Sequence, residues 1–277
     1  MNDAFFMFCL PGLLGLVIGS FLNVVIHRLP QMLQAQWKAE ALDTQEMPPE
    51  TEAPTYNLAK PGSHCPHCQH ALSWHDNIPV LSYLMLKGRC RYCQAPIGWR
   101  YPGIELITSA LFVWIFMRYG FGMEALAWSG FAAALVALAA IDADTTLLPD
   151  AITQPLIWSG LLASSLHLTG SALSTSLWGA VAGYLFLWSV YWLFKLVTGK
   201  EGMGQGDFKL LAALGAWLGW PALLSLVLIA SVTGAVLGLW LRFRKKLTEE
   251  GYIPFGPFLV FAGLWVMLFG PLPGFQM

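Results

Sequence analysis

Two sets of residues in this chain have types and spacings that could do chemistry. The first set is carboxylates beside apolar segments. Asp207 stands in "GMGQGDFKL", behind Gly202, Gly204 and Gly206, and an almost uncharged run follows it. Asp142, Asp144 and Asp150 stand in "AAIDADTTLLPD", between two more apolar runs. Acids within or bordering membrane spans are costly and mark function. Two carboxylates brought together share a proton, because both cannot easily ionise; one then activates water while the other protonates a leaving group. Asp207 needs such a partner, and the 142–144 turn is the other acid cluster bordering spans. Gly204 and Gly206 leave the backbone open, so that a substrate chain can come close to its amides.

Each acid also has a plainer use. Asp150 follows Pro149 at the start of a span, where a negative charge meets the helix dipole. Asp144 lies past the end of its span and suits solvent. Glu105, early in another span, suits a cap or a pairing with Arg100. Asp207 itself would serve as an N-cap.

The second set is cysteines. Cys65 and Cys68 form "CPHC", and Cys90 and Cys93 form "CRYC". Each C-x2-C knuckle offers two thiolates to one metal, and two knuckles complete the tetrahedral S4 shell of a structural zinc. A closed shell leaves no position for water, so this metal is structural. His64, His67 and His70 interleave the first knuckle and suit the periphery or solvent. Cys9, inside the first apolar run, suits inert packing. The unit between the knuckles is too small for its own core, so the metal must stabilise it.

Elements of a membrane protein must position both sets. Of 277 residues, 56% are hydrophobic and 11% charged, which excludes an ordinary soluble domain. Apolar stretches run near 5–27, 101–118, 124–141, 151–168, 172–197, 208–220, 222–241 and 255–272. A helix needs about 20 residues to cross about 30 Å of hydrocarbon. The stretch from Phe208 to Trp220 falls short: either the bilayer thins there, or the glycines before it lie within the membrane boundary. The fold class is thus an all-α polytopic membrane protein with about eight transmembrane helices and a small cytoplasmic zinc-binding insertion between helices 1 and 2. Residues 1–30 read as the first span, 31–100 as the cytoplasmic loop, and 101–277 as a seven-helix core. The polar, Pro-containing stretch from Gln31 to Gly62 reads as a solvated, partly flexible approach.

Charge sets the orientation. With both termini outside, every Lys and Arg except Arg118 falls on the cytoplasmic side, as the positive-inside rule requires. The cysteines then face a reducing compartment, which favours metal over disulfides. "MNDAFF" lacks a basic n-region, and the first run ends in "HRLP", so it reads as a retained span and not a cleaved signal. No sequence repeat and no phosphate- or dinucleotide-binding glycine motif is found. No nucleic-acid partner is expected; oligomeric state is left open.

Taken together, "GMGQGDFKL", "IDADTTLLPD", the two knuckles, "GSFLNVVIHRLP" and "RYPGIELIT" closely resemble the bacterial type IV prepilin peptidases, G-x-G-D intramembrane aspartyl proteases. The likeness runs nearly end to end. In that family the first catalytic aspartate lies seven residues before the proline of the "LP" pair, which implies Asp142; the second is the G-x-G-D acid, Asp207. The resemblance implies an inner-membrane endopeptidase that cuts the basic leader from type IV prepilins and type II secretion pseudopilins after a glycine, at the cytoplasmic face. It also implies N-methylation of the new amino terminus with S-adenosylmethionine, for which no residues carry over. Glu40, Asp43, Glu46, Glu50 and Glu52 could attract a basic leader or simply solvate a linker. The competing class is a transporter with Asp142 and Asp207 on a proton or cation pathway, although such sites usually lie near the bilayer midplane. A zinc-bearing membrane scaffold is the third reading, and it leaves the acids unexplained.

Overall fold

The computed structural model of the chain describes residues 2–43, 56–200, 202–244 and 253–273. Among them the regular structure is helical. The helices are α1 (Asn2–Asp43), α2 (Leu81–Met85), α3 (Arg100–Tyr119), α4 (Met123–Thr145), α5 (Asp150–Ser165), α6 (Leu173–Thr198), α7 (Gln205–Leu218), α8 (Ala222–Phe243) and α9 (Gly256–Phe269). A 3-10 turn at Trp74–Asn77 precedes α2. All but α2 follow the apolar runs. α1, α4, α6 and α8 are long and apolar enough to cross a bilayer, and α9 is a shorter apolar helix. The chain is an all-α polytopic membrane protein, and it divides into two compact units between Ala125 and Leu126.

In the first unit, α1 corrects the sequence reading of Gln31 onward. The helix passes Pro30 and continues to Asp43. "QMLQAQWKAEALD" is rich in strong helix formers, and their propensity carries the helix beyond a proline that removes only one internal hydrogen bond. Residues 44–55 of that stretch lie outside the described residues. α1 crosses α3 closely through Gly15 and Gly19. A Cβ added at these positions would lie 2.6 Å from Ser109 Cα and 2.7 Å from Glu105 Cα. This small-xxx-small spacing lets two membrane helices bring their backbones together. The Ser109 hydroxyl then donates to the Gly12 carbonyl at 2.9 Å.

Arg28 near the middle of α1 does more than bias topology. It is buried and donates to the carbonyls of Asn57, Leu58 and Gly62 at 3.1–3.3 Å. A charge-assisted grip on three carbonyls ties the returning chain to α1.

The second unit is organised around α7, which explains its length. It has 14 residues, so at about 1.5 Å per residue it spans about 21 Å. From Asp207 through Trp217 it is almost wholly buried, against α5, α6 and α9. A helix covered by protein need not present a full apolar length to lipid. Gly179 of α6 and Gly215 of α7 lie so close that a Cβ on either would overlap the other's carbonyl. On the opposite side, the Trp217 indole N–H donates to the Leu156 carbonyl at 2.9 Å, and the ring covers Gly160 and stacks on Phe131 at 4.8 Å.

Candidate active site and metal centre

Asp142 and Asp207 come from opposite ends of different helices. Asp142 lies in the last turn of α4, and its carbonyl accepts the Thr146 N–H at 2.8 Å as the chain leaves the helix. Asp207 is the third residue of α7, behind the N-cap Gly204, so it is not itself the cap. The Gly204 amide faces the Asp207 carboxylate, as an acid at the third position commonly arranges. Both acids are buried, at 5% and 3% exposure, and Asp142 is near enough for its charge to act on Asp207.

Leu148, in the turn after α4, packs against α7 and the start of α9. A Cβ on Gly206 would lie 2.6 Å from Leu148 Cβ, and one on Gly256, at the start of α9, would lie 3.3 Å from its Cδ1. Gly206 therefore accommodates Leu148. Gly204 is more open: a Cβ there would meet only Asp207 Oδ2, at 3.9 Å.

The other acids separate from this pair. Asp144 is exposed. Asp150 begins α5 as a first-turn acid, and its carboxylate takes both hydrogen bonds of a salt bridge from Lys209. Glu105 is buried in α3, and its Oε2 accepts the Val80 N–H at 2.7 Å. Val80 has φ +56°, unfavourable for a β-branched residue, and this hydrogen bond secures that turn. Glu40 is exposed on α1; the side chain of Asp43 and all of Glu46, Glu50 and Glu52 lie outside the described residues.

The four cysteines converge as their spacing predicts. The Sγ atoms of Cys65, Cys68, Cys90 and Cys93 all lie within 4.8 Å of one another and could hold a metal ion. Each knuckle folds the same way. Cys65 N–H donates to the His70 carbonyl and Gln69 N–H to that of Cys65; Cys90 N–H donates to Ala95 and Gln94 N–H to Cys90. Gln69 and Gln94 both have φ +59°. The two knuckles are thus a structural duplication, marked in the sequence by C-x2-C-Q at both sites. The Cys68 backbone N–H pushes the Cys65 thiol down to about 6. The histidines stand outside the cluster: His64 Nδ1 pairs with the Gly62 carbonyl, and the His70 ring packs on Tyr92 at 3.6 Å. Beside the knuckles, buried Asp76 holds the Arg91 guanidinium through two 2.9 Å contacts.

Sequence reasoning missed Arg28, Asp76, Leu148 and Gly256. Only Gly256 had a signal, since "FGPF" marks a helix start through Pro257. That its open face would meet Asp142 was not legible.

Residues 13–119 match the bacterial peptidase A24 N-terminal domain, and residues 129–239 match the type IV leader peptidase family. The chain is 52% identical over 259 residues to the prepilin leader peptidase/N-methyltransferase of Burkholderia pseudomallei strain 1026b, covering 93% of this chain and 84% of that protein. The chain belongs to the type IV leader peptidase family. Proteins of the same name are similar in Pseudomonas aeruginosa (51% identity, 93% of this chain, 89% of the relative) and Aeromonas hydrophila (52%, 95% and 91%). No solved structure matches the chain. The type IV leader peptidases are a protease family, and membership gives the transporter alternative no support.

Proposed function

We propose that this protein is an inner-membrane aspartyl endopeptidase that removes the leader from type IV prepilins and type II secretion pseudopilins, and then N-methylates the new amino terminus. One observation carries the reading: Asp142 and Asp207 are both buried, with Asp142 near enough for its charge to act on Asp207. The dyad holds one proton. The ionised carboxylate takes a proton from water as the water oxygen bonds to the scissile carbonyl carbon. The protonated partner donates to the carbonyl oxygen, and the C–N bond then breaks as the departing amine takes a proton. The open face at Gly204 is where substrate backbone approaches; Gly206 contributes by admitting Leu148.

In this reading residues 1–30 are the first span, 31–100 the cytoplasmic unit and 101–277 the seven-helix protease core. Both termini are periplasmic and the cut falls after a glycine at the cytoplasmic face. The distribution of Lys and Arg supports that orientation. Cys65, Cys68, Cys90 and Cys93 hold one structural zinc. A tetrahedron with Zn–S bonds of about 2.3 Å has S···S edges of about 3.8 Å, and Cys65 Sγ lies 3.8 Å from Cys93 Sγ. S-adenosylmethionine supplies an activated methyl group; no residue of this chain is assigned to it.

The test is to incubate purified protein with a prepilin and S-adenosylmethionine, and then read the N-terminal peptide by mass spectrometry. Loss of the leader with a gain of one methyl group is the expected result. An intact leader overturns the proposal.

A further inference from the structure

Gly256 opens α9, and a Cβ built on it would lie 2.5 Å from Asp142 Oδ2 and 3.0 Å from its Cγ. Real Cβ atoms do not approach so closely. Nothing in the backbone explains this glycine: its φ lies outside the left-handed region that glycine serves. Within a helix, alanine is also favoured over glycine. What remains is the side chain in front of it.

Asp142 is 5% exposed, and its Oδ2 has no hydrogen-bond partner among the described residues. A buried carboxylate oxygen without a protein partner is unusual, and a catalytic role is one of the few explanations for it. The Gly256 amide faces the same carboxylate from the first turn of α9, where helix N–H groups favour negative charge.

We infer that Gly256 is a positioning residue of the aspartyl dyad: having no side chain, it seats the α9 N-terminus on Asp142 and leaves Oδ2 in place to take a proton from water. The inference rests on the peptidase reading and adds a requirement to it. A single methyl group at residue 256 has to displace the Asp142 carboxylate or push α9 back.

The experiment uses the full-length protein with Gly256→Ala, Leu148→Ala and Asp142→Ala, alone and combined. Gly256→Ala should lower kcat for prepilin cleavage by about 100-fold, the scale for a reacting group misplaced by about 1 Å. KM should stay near the wild-type value, and methylation of a pre-cleaved pilin should persist. Leu148→Ala should not restore the double variant. Where Gly256→Ala accumulates poorly, thermal stability decides. The substitution should lower Tm in the wild-type background and leave it unchanged or raise it in the Asp142→Ala background, where the clash is gone. Wild-type kcat in Gly256→Ala, rescue by Leu148→Ala, or an equal loss of Tm in both backgrounds would each overturn the inference. Wild-type cleavage by Asp142→Asn would instead sink the peptidase mechanism itself.

Discussion

Lys209 Nζ lies 2.6 Å from Asp150 Oδ1 and 2.7 Å from Oδ2, joining α7 just past Asp207 to the first residue of α5. Lys209 stands two residues past Asp207 and would otherwise bring a positive charge to the proposed dyad; here Asp150 engages it. The Asp150 side chain is 60% exposed, so solvent screens the pair and it contributes less than about 1 kcal/mol. Asp150→Asn should therefore leave cleavage within a few-fold of wild type. A double-mutant cycle with Lys209→Ala, read by thermal unfolding, should return a small coupling. A loss matching that of a dyad substitution would place Asp150 in the chemistry.

Asparagine closely matches aspartate in shape but cannot exchange a proton. Asp142→Asn and Asp207→Asn should each lower cleavage by about 10⁴-fold or more, and the pair together no further, because a dyad acts as one unit. Exposed Asp144→Asn should keep most activity. The pH profile should be bell-shaped. Activity falls on the alkaline side as the shared proton is lost, and on the acid side as both groups are protonated. A profile with a single limb would contradict proton sharing.

Purified protein should carry about one zinc per chain by elemental analysis, following the one-metal S4 geometry. Cys65→Ser or Cys90→Ser, at the two buried cysteines of the cluster, should release the metal and expose the cysteine unit to limited proteolysis. Cleavage should fall indirectly. Metal-free protein with full stability and activity would refute the assignment.

Reporter fusions should read cytoplasmic at Thr55 and Thr248, which lie outside the described residues, and periplasmic at Thr169. The Lys and Arg bias dictates this pattern. A periplasmic signal at Thr55 would reverse the compartment of the cysteines.

Gly179→Leu should force α6 from α7, since even a Cβ there would overlap the Gly215 carbonyl. Overpacking of this kind costs about 1–3 kcal/mol or more, and α7 carries Asp207. Lower thermal stability and lost cleavage should appear together; a stable, active variant would show that the crossing is not tight in the membrane.

The sequence by itself determined the features that short-range rules govern. Among the described residues eight helices fall on the eight hydrophobic runs, four of them long and apolar enough to span a bilayer, and the cysteine cluster follows from two C-x2-C spacings whose turns close locally. Which acid joins Asp207 is a different kind of question. Spacing alone leaves Asp142 and Asp144 open, and family resemblance picks Asp142. The structure distinguishes the two by burial: residues two apart on a helix are rotated about 200°, and α4 buries Asp142 while Asp144 is exposed. The passage of α1 beyond Pro30 was hidden because a breaker in the sequence competes with eleven favourable neighbours, and the outcome is their sum. The placement of Leu148 on Gly206, Gly256 on Asp142 and Lys209 on Asp150 had no local signal. Each is a meeting of elements distant in sequence, and glycine advertises only that something can come close. What comes close depends on how α4, α7 and α9 pack, and only the tertiary structure decides that.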